Sequence, residues 1–163
     1  MKTLHIVRHG KALQDFGHIY DYDRPLIEKG ILNNIEKAKQ LLEKYSVPDL
    51  IISSHAARAL HTAHIFARVM GYPHDRVQVN ERLYSDGETE MHKILKKFPN
   101  DIESVMIVGH NPDVTFVACT YAGRMTDSMP TSSVVSIRFK TNCWSEISKE
   151  NSDLLGFLKP ERS

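Results

Sequence analysis

The chain has 163 residues, 41% of them hydrophobic and 25% charged, which is enough to bury one core and ordinary for a water-exposed globular protein. The net charge of +1 excludes a chain-wide attraction to nucleic acid or to a membrane surface, although a local basic pocket is compatible with it. No apolar run approaches the ~20 residues that cross a bilayer, and the chain enters a strand without a preceding apolar signal segment, so a single domain over residues 1–163 in a reducing cytoplasm is expected. Two cysteines, Cys119 and Cys143, fit no metal-ligand spacing and read as free thiols of such a compartment.

Leu4-His5-Ile6-Val7 is an apolar, partly β-branched run and reads as a buried strand ending in Arg8-His9-Gly10. Asp15, Gly17, Asp21, Asp23 and Pro25 then mark a loop. Ile27, Ile31, Ile35, Ala38, Leu41, Leu42 and Tyr45 recur at helical spacing with charges on the other face, and Pro48 stops that helix. Gly30 weakens its start. Asp49–Ser53 reads as a second buried strand and Ala57–Met70 as a helix with Leu60, Ala63, Ala67 and Met70 inward, closed by Gly71 and Pro73. Val77 and Val79 give a short strand, Glu88–Phe98 a helix, Ser104–Val108 a third strong strand, and Pro112–Ala122 a helix. Val134–Phe139 partly alternates and reads as an edge strand, with Trp144–Ser148 as its hairpin partner and Leu154, Leu155, Phe157 and Leu158 as a tail docked on the body. Alternating strands and helices predict a three-layer α/β/α sandwich on a mainly parallel sheet, made mixed by the last hairpin.

The chemistry-bearing residues fall where these strands end. Arg8 and His9 close the first, Arg58 lies in the first turn of the helix after the second, and His110 follows Gly109 after the third. In an open α/β sheet, ligands bind outside the carboxyl ends of the parallel strands, so these residues are expected to converge. Two arginines and two histidines around one point suit a dianionic phosphoryl group: guanidinium forks hold its oxygens and a neutral imidazole can attack phosphorus. Gly10 allows a sharp turn and a close approach of ligand to backbone.

Four blocks in order, Arg8-His9-Gly10, Ser53–Ala63 with Arg58 inside it, Gly109-His110-Asn111-Pro112 and Met129–Ser133, resemble the histidine phosphatase superfamily, and within it the SixA-type phosphohistidine phosphatases. The resemblance runs from the first strand to Trp144. It implies the phosphoglycerate mutase-like fold and a phosphatase that needs no metal or other cofactor. It assigns His9 as the nucleophile that becomes phosphorylated, with Arg8, Arg58 and His110 holding the phosphoryl group beside Gly10. Two nearby guanidinium groups would keep His9 neutral.

The implied substrate is a protein carrying phosphohistidine, with a phosphate ion as occupant of the site and no nucleic acid or membrane as partner. A small-molecule phosphatase or phosphomutase of the same superfamily, and a non-catalytic phosphate-binding module, remain open as alternatives. Their discriminators are a substrate panel and a phosphoenzyme trap.

Two positions depart from the family pattern: His55 stands where proline is usual and His61 where glutamine is common. With His64 they form a local histidine cluster that lacks a carboxylate or Cys partner at metal-ligand spacing and reads as rim or surface side chains. Thr131, Ser132 and Ser133 either offer hydroxyls to the pocket or simply begin a strand. A general acid for the leaving group is not evident: Asn111 cannot serve, and Glu81, Asp86 and Glu88 are the candidates from the segment after the second strand. The short stretch between Arg58 and His110 leaves little chain for a lid, so an open site is expected.

Overall fold

The computed structural model describes residues 1–14, 17–123, 125 and 127–161. Asp15, assigned above to the first loop, lies outside them. The strands are β1 (Lys2–Arg8), β2 (Leu50–Ser53), β3 (Gln78–Val79), β4 (Ser104–Gly109), β5 (Val134–Phe139) and β6 (Ser152–Leu158). The helices are α1 (Glu28–Lys44), α2 (Ala57–Met70), α3 (Arg82–Ser85), α4 (Gly87–Leu95) and α5 (Asp113–Ala122). The six strands form one sheet in the order β3-β2-β4-β1-β5-β6. β1, β2, β3 and β4 run parallel, whereas β5 is antiparallel to both β1 and β6.

Alternation along β1 divides the core in two. Leu4 and Ile6 face a cluster with Val105, Ile107, Leu83, Met91, Leu95, Val114 and Val117, which packs α4 and α5 on that side. Val7 faces the other cluster, where Met106 and Val108 meet Leu41 of α1 and Ala59, Ala63, Phe66 and Ala67 of α2. Small alanines on the sheet-facing stripe of α2 let the helix sit close, and fully buried Phe66 fills the remaining space. The result is the expected α/β/α sandwich.

Two expectations at the carboxyl end are corrected. β5 is an interior strand with β1 and β6 on its flanks, and only Arg138 of its six residues is exposed. Its hairpin partner is β6, the segment read as a docked tail, and not Trp144–Ser148. Trp144–Glu146 forms a 3-10 turn, because the indole is fully buried and its Nε1–H donates to the Ile102 carbonyl at 2.6 Å. The helix read as Glu88–Phe98 is shorter, Gly87–Leu95, and the turn α3 precedes it.

Gly30, read as a weak point of α1, has a packing role: a Cβ there would collide with the backbone of Lys11. It allows the chain leaving β1 to lie against the helix, and Ile27 N–H donates to Lys11 O at 3.0 Å across that contact.

Candidate functional site

Parallel register sets the spacing of the site. Arg8 pairs with Gly109 and Ser53 with Val108, so the residues that follow β1, β2 and β4 emerge side by side. The ladder continues past the strands: His9 N–H donates to Gly109 O and Ser54 N–H to Val108 O, each at 3.1 Å. His9 and His110 thereby come to 5.0 Å between ring centroids. Arg58 in the first turn of α2 reaches them, its Nε lying 3.4 Å from His9 Nε2. His9, Arg58 and His110 are 8%, 5% and 8% exposed, so the cluster is built into the protein before any ligand arrives.

The tautomer of His9 follows from its partner. His9 Nδ1 lies 2.7 Å from the Gly10 carbonyl, which only accepts, so Nδ1 carries the proton and Nε2 holds the lone pair. His110 Nε2 is 2.8 Å from Ser54 Oγ. That hydroxyl also receives Ala56 N–H at 3.2 Å, so the Ser54 side chain ties the start of α2 to the His110 ring. Burial lowers His9 to about 3, with smaller contributions from His110, Arg58 and Arg8 against a raising hydrogen bond from Gly10. Burial, then Arg58, lowers His110 to about 4. Both rings are neutral at pH 7. The guanidinium groups act in the expected direction, but desolvation is the larger cause.

The β1–α1 connection folds onto the site. Asp21 accepts Arg58 Nη2 at 2.9 Å on Oδ2 and Arg58 Nη1 at 2.6 Å on its carbonyl. Its Oδ2 also accepts the Tyr84 hydroxyl at 2.6 Å, and its Oδ1 pairs with Arg24 at 2.9 Å. Tyr84 first, then Arg58 and Arg24, hold this carboxyl well below the usual carboxylate range, so it is ionised and cannot give up a proton. Cover over Arg58 therefore comes from the β1–α1 connection and from Tyr84. Asp21 and Tyr84 are site residues that motif reasoning missed; the acidic-basic pair Asp21 and Arg24 just before Pro25 was the available signal.

Behind the cluster a buried network fixes the turn after β1. Gly10 N–H donates to Thr62 Oγ1 at 3.0 Å, Asn34 Nδ2 donates to the same oxygen at 3.0 Å, and Ser132 Oγ donates to Asn34 Oδ1 at 2.7 Å. A Cβ on Gly10 would stand 2.7 Å from Asn34 Nδ2 and 3.0 Å from the Gly30 carbonyl, which is why glycine is needed there. Ser132 takes a positive φ of 63° and its N–H meets the carbonyls of Arg8 and His9, both at 3.1 Å. Ser133 Oγ donates to Pro130 O. These two hydroxyls support the end of β1 and are not offered to the pocket. Thr131, with Arg8, Lys11 and Pro130, lines a depression of about 280 Å³ beside the Arg8 guanidinium, whose Nη1 donates to Met129 O at 2.9 Å.

The remaining candidates divide. No hydrogen bond or ion pair joins the side chains of Glu81, Asp86 or Glu88 to His9, Arg8, Arg58 or His110 among the described residues; Glu81 lines a separate depression with Arg82, Glu90 and Phe98. From that segment it is Tyr84 that reaches the site, its ring edge-on to His110 at 5.4 Å and 90°. The histidine cluster also separates: His55 packs on Tyr84 and Tyr22, whereas His64 faces His74 at 6.3 Å. Among the described residues no three His, Cys, Asp or Glu side chains converge as a metal site. Cys119 and Cys143 are free and half-buried, and no helix is long and apolar enough to cross a membrane.

Comparison with known proteins gives a consistent picture. An uncharacterized chloroplastic protein of Arabidopsis thaliana is 29% identical over 153 residues, covering 89% of this chain and 70% of that one. An uncharacterized protein of Mycobacterium tuberculosis is 25% identical over 165 residues, covering 94% and 99%. The fold matches a crystal structure from Agrobacterium tumefaciens described as phosphohistidine phosphatase SixA, with TM-score 0.78 at 24% identity over 98% of both chains. It also matches the protein histidine phosphatase SixA complexed with tungstate, with TM-score 0.79 at 21% identity over 96% of both. The family model described as histidine phosphatase superfamily (branch 1) matches residues 4–104, and the chain belongs to that superfamily.

Proposed function

We propose that this protein is a metal-independent phosphatase that works through a phosphohistidine intermediate on His9 and removes phosphate from phosphohistidine in a protein. The observation that carries the reading is the neutral His9 ring, anchored through Nδ1 to Gly10, with its Nε2 lone pair turned to the cationic edge of Arg58. An uncharged imidazole surrounded by fixed guanidinium groups is a nucleophile toward a dianionic phosphoryl group without any metal.

In the first displacement the Nε2 lone pair forms a bond to phosphorus, and the bond to the leaving group breaks with its electron pair. Arg8 Nε and His110 Nδ1, both buried without a partner, supply donors for phosphoryl oxygens, and Arg58 adds charge through Nε. Water then attacks the phosphohistidine and returns the pair to Nε2. Because the arginines carry the positive charge, the reaction is mainly positioning and electrostatics.

Substrate class is argued from the leaving group. An alkoxide needs a strong proton donor, whereas an imidazole leaving a phosphoramidate needs far less help. Asp21, the carboxylate at the site, is held ionised by Tyr84, Arg58 and Arg24. The likeness to SixA structures supports the same substrate class. A likeness to a mycobacterial glucosyl-3-phosphoglycerate phosphatase, TM-score 0.67 at 16% identity, keeps a small phosphomonoester as the second reading.

The test is a phosphoenzyme trap with a phosphohistidine-bearing protein and an alkyl phosphomonoester. An acid-labile label on His9, lost in His9→Ala, with faster turnover of the phosphohistidine protein, is expected. Preference for the alkyl ester selects the second reading. Binding of phosphate with no label on His9 makes the protein a phosphate-binding module.

A further inference from the structure

Arg58 is almost wholly enclosed, yet its guanidinium is gripped by a residue at the surface. The planar fork carries one N–H on Nε and two on each Nη. Nη1 donates to the Asp21 carbonyl at 2.6 Å and Nη2 to Asp21 Oδ2 at 2.9 Å. Nε is left facing His9 Nε2 at 3.4 Å. One residue therefore holds the far end of the fork, while the near end addresses the atom assigned as nucleophile.

Asp21 is held in turn. Its Oδ2 accepts the Tyr84 hydroxyl at 2.6 Å, and its Oδ1 accepts Arg24 Nε at 3.0 Å. It opens the 3-10 turn Asp21–Asp23, and Arg24 N–H donates to its carbonyl at 3.2 Å. The Tyr84 ring that braces it packs edge-on against His110. One acidic residue thus joins the β1–α1 connection, α2 and α3 around the site. Its side chain is 47% exposed, so the ion pair by itself contributes little to stability. What distinguishes it is contact with two separate nitrogens of one rigid plane. A single contact lets a guanidinium pivot, whereas two fix its orientation. Nε is not among the nitrogens that Asp21 holds, so the grip leaves the inward edge of the fork for a phosphoryl oxygen.

We infer that Asp21 is the positioning residue of Arg58: braced by Tyr84, it holds the guanidinium so that Nε meets a phosphoryl oxygen during transfer to His9, without itself touching that group. The inference rests on the reading of His9 as nucleophile. A donor misplaced by about 1 Å costs on the order of 10²-fold in rate, so a grip of this kind bears on transfer. Binding of phosphate responds differently. Losing Asp21 loosens a donor but also removes a negative charge beside the dianion, and the two effects oppose one another.

The test compares wild type with Asp21→Asn, Asp21→Ala and Tyr84→Phe, and with Asp23→Asn as a control from the same exposed turn. Two quantities are measured: the single-turnover rate of labelling on His9 by an activated aryl phosphate, and the inhibition constant of orthophosphate, which needs the pocket but no transfer. Asp21→Ala should slow labelling on the order of 10²-fold and Asp21→Asn about tenfold, since the amide keeps one acceptor oxygen, while the phosphate constant moves by no more than about threefold. Tyr84→Phe should slow labelling about threefold in the wild-type background and no further in Asp21→Ala, because it acts through the carboxylate. Asp23→Asn should leave both quantities unchanged. Parallel losses of labelling and phosphate binding indicate general damage to the site and overturn the assignment. Faster labelling in the Asp21 variants overturns it too, by making the carboxylate a competitor of the phosphoryl group. Label that forms on wild-type His9 and at the same rate in the Asp21 variants refutes the positioning role alone, whereas absence of label from wild type refutes the nucleophile and this inference with it.

Discussion

Three histidines buried as neutral rings make a sharp prediction for stability against pH. Burial lowers His5 to about 4, His9 to about 3 and His110 to about 4. Each is below the unfolded value near 6.5, so as pH falls below 6.5 the unfolded chain takes up protons that the folded protein refuses. Stability is therefore present in full above about pH 6.5 and is lost on the way down, until the folded-state values near 3 to 4 are reached. Between pH 6 and 5 each ring costs about 1.2 kcal/mol, on the order of 3.5 kcal/mol for the three, against a typical total of ~5–15 kcal/mol. The window lies above the ordinary range of unfolded carboxylates, so Asp21, whose lowered pKa acts in the same direction, contributes at lower pH. The one tryptophan, Trp144, is fully buried and reports unfolding by fluorescence. Urea unfolding at several pH values gives the slope. His5 lies outside the site, bonded to Ser136 Oγ at 2.7 Å and packed on Tyr45, so His5→Asn and His5→Phe separate linkage from catalysis. Each should reduce the slope by roughly a third whatever it does to the stability at pH 7. A slope that stays the same in both variants would refute the claim that His5 is buried uncharged.

His9→Ala should abolish turnover and the acid-labile label while the protein remains folded by Trp144 fluorescence. Arg8→Ala and Arg58→Ala should each lower kcat/KM on the order of 10²-fold or more, as losing a preorganised donor does, and near-normal values would remove them from the pocket. Gly10→Ala should lower both stability, by about 1–3 kcal/mol, and kcat, because its Cβ meets Asn34 Nδ2 at 2.7 Å and the Gly30 carbonyl at 3.0 Å. Unchanged urea midpoint and turnover would show that the contact relaxes freely. Chelators should leave turnover unaltered; loss reversed by adding back one metal would contradict the arginine-based mechanism.

Much of this architecture was legible because three parallel strands declare themselves as short apolar runs, each followed by a charged or turn residue. Given β1, β2 and β4, the convergence of Arg8, His9, Arg58 and His110 needs only the parallel register. The contact between Asp21 and Arg58 was not legible, because a loop without periodicity gives no direction for its side chains. Tyr84 was hidden for a related reason: α3 is a single turn, too short to show a pattern, and a tyrosine hydroxyl carries no motif of its own. The carboxyl end misled through its pattern. β6 has a register irregularity opposite Ser136 and Ile137, which interrupts strict alternation, while Trp144 gave a nearby strand-like residue that the fold uses as a core plug.

The same burial that keeps the rings of the site neutral also makes it expensive to fold. A histidine exposed at the strand end would be protonated over part of the physiological range and would lose its lone pair to that proton. Enclosing His9 and His110 keeps both rings neutral at pH 7, and the Gly10 carbonyl holds the His9 proton on Nδ1 and so leaves the lone pair on Nε2. Desolvating Arg8 beside them adds to the cost, and leaving its Nε unpaired forgoes a hydrogen bond in the folded state. These costs are offset elsewhere, by the two apolar layers on the sheet and by the Asn34, Thr62 and Ser132 network behind the turn. On the proposed function they would be recovered when a phosphoryl group satisfies the orphaned donors, most fully as charge develops on its oxygens in transfer. Variants that satisfy those donors internally should therefore be more stable and less active, which is the trade-off expected when strain and unpaired polar groups reside at a site of chemistry.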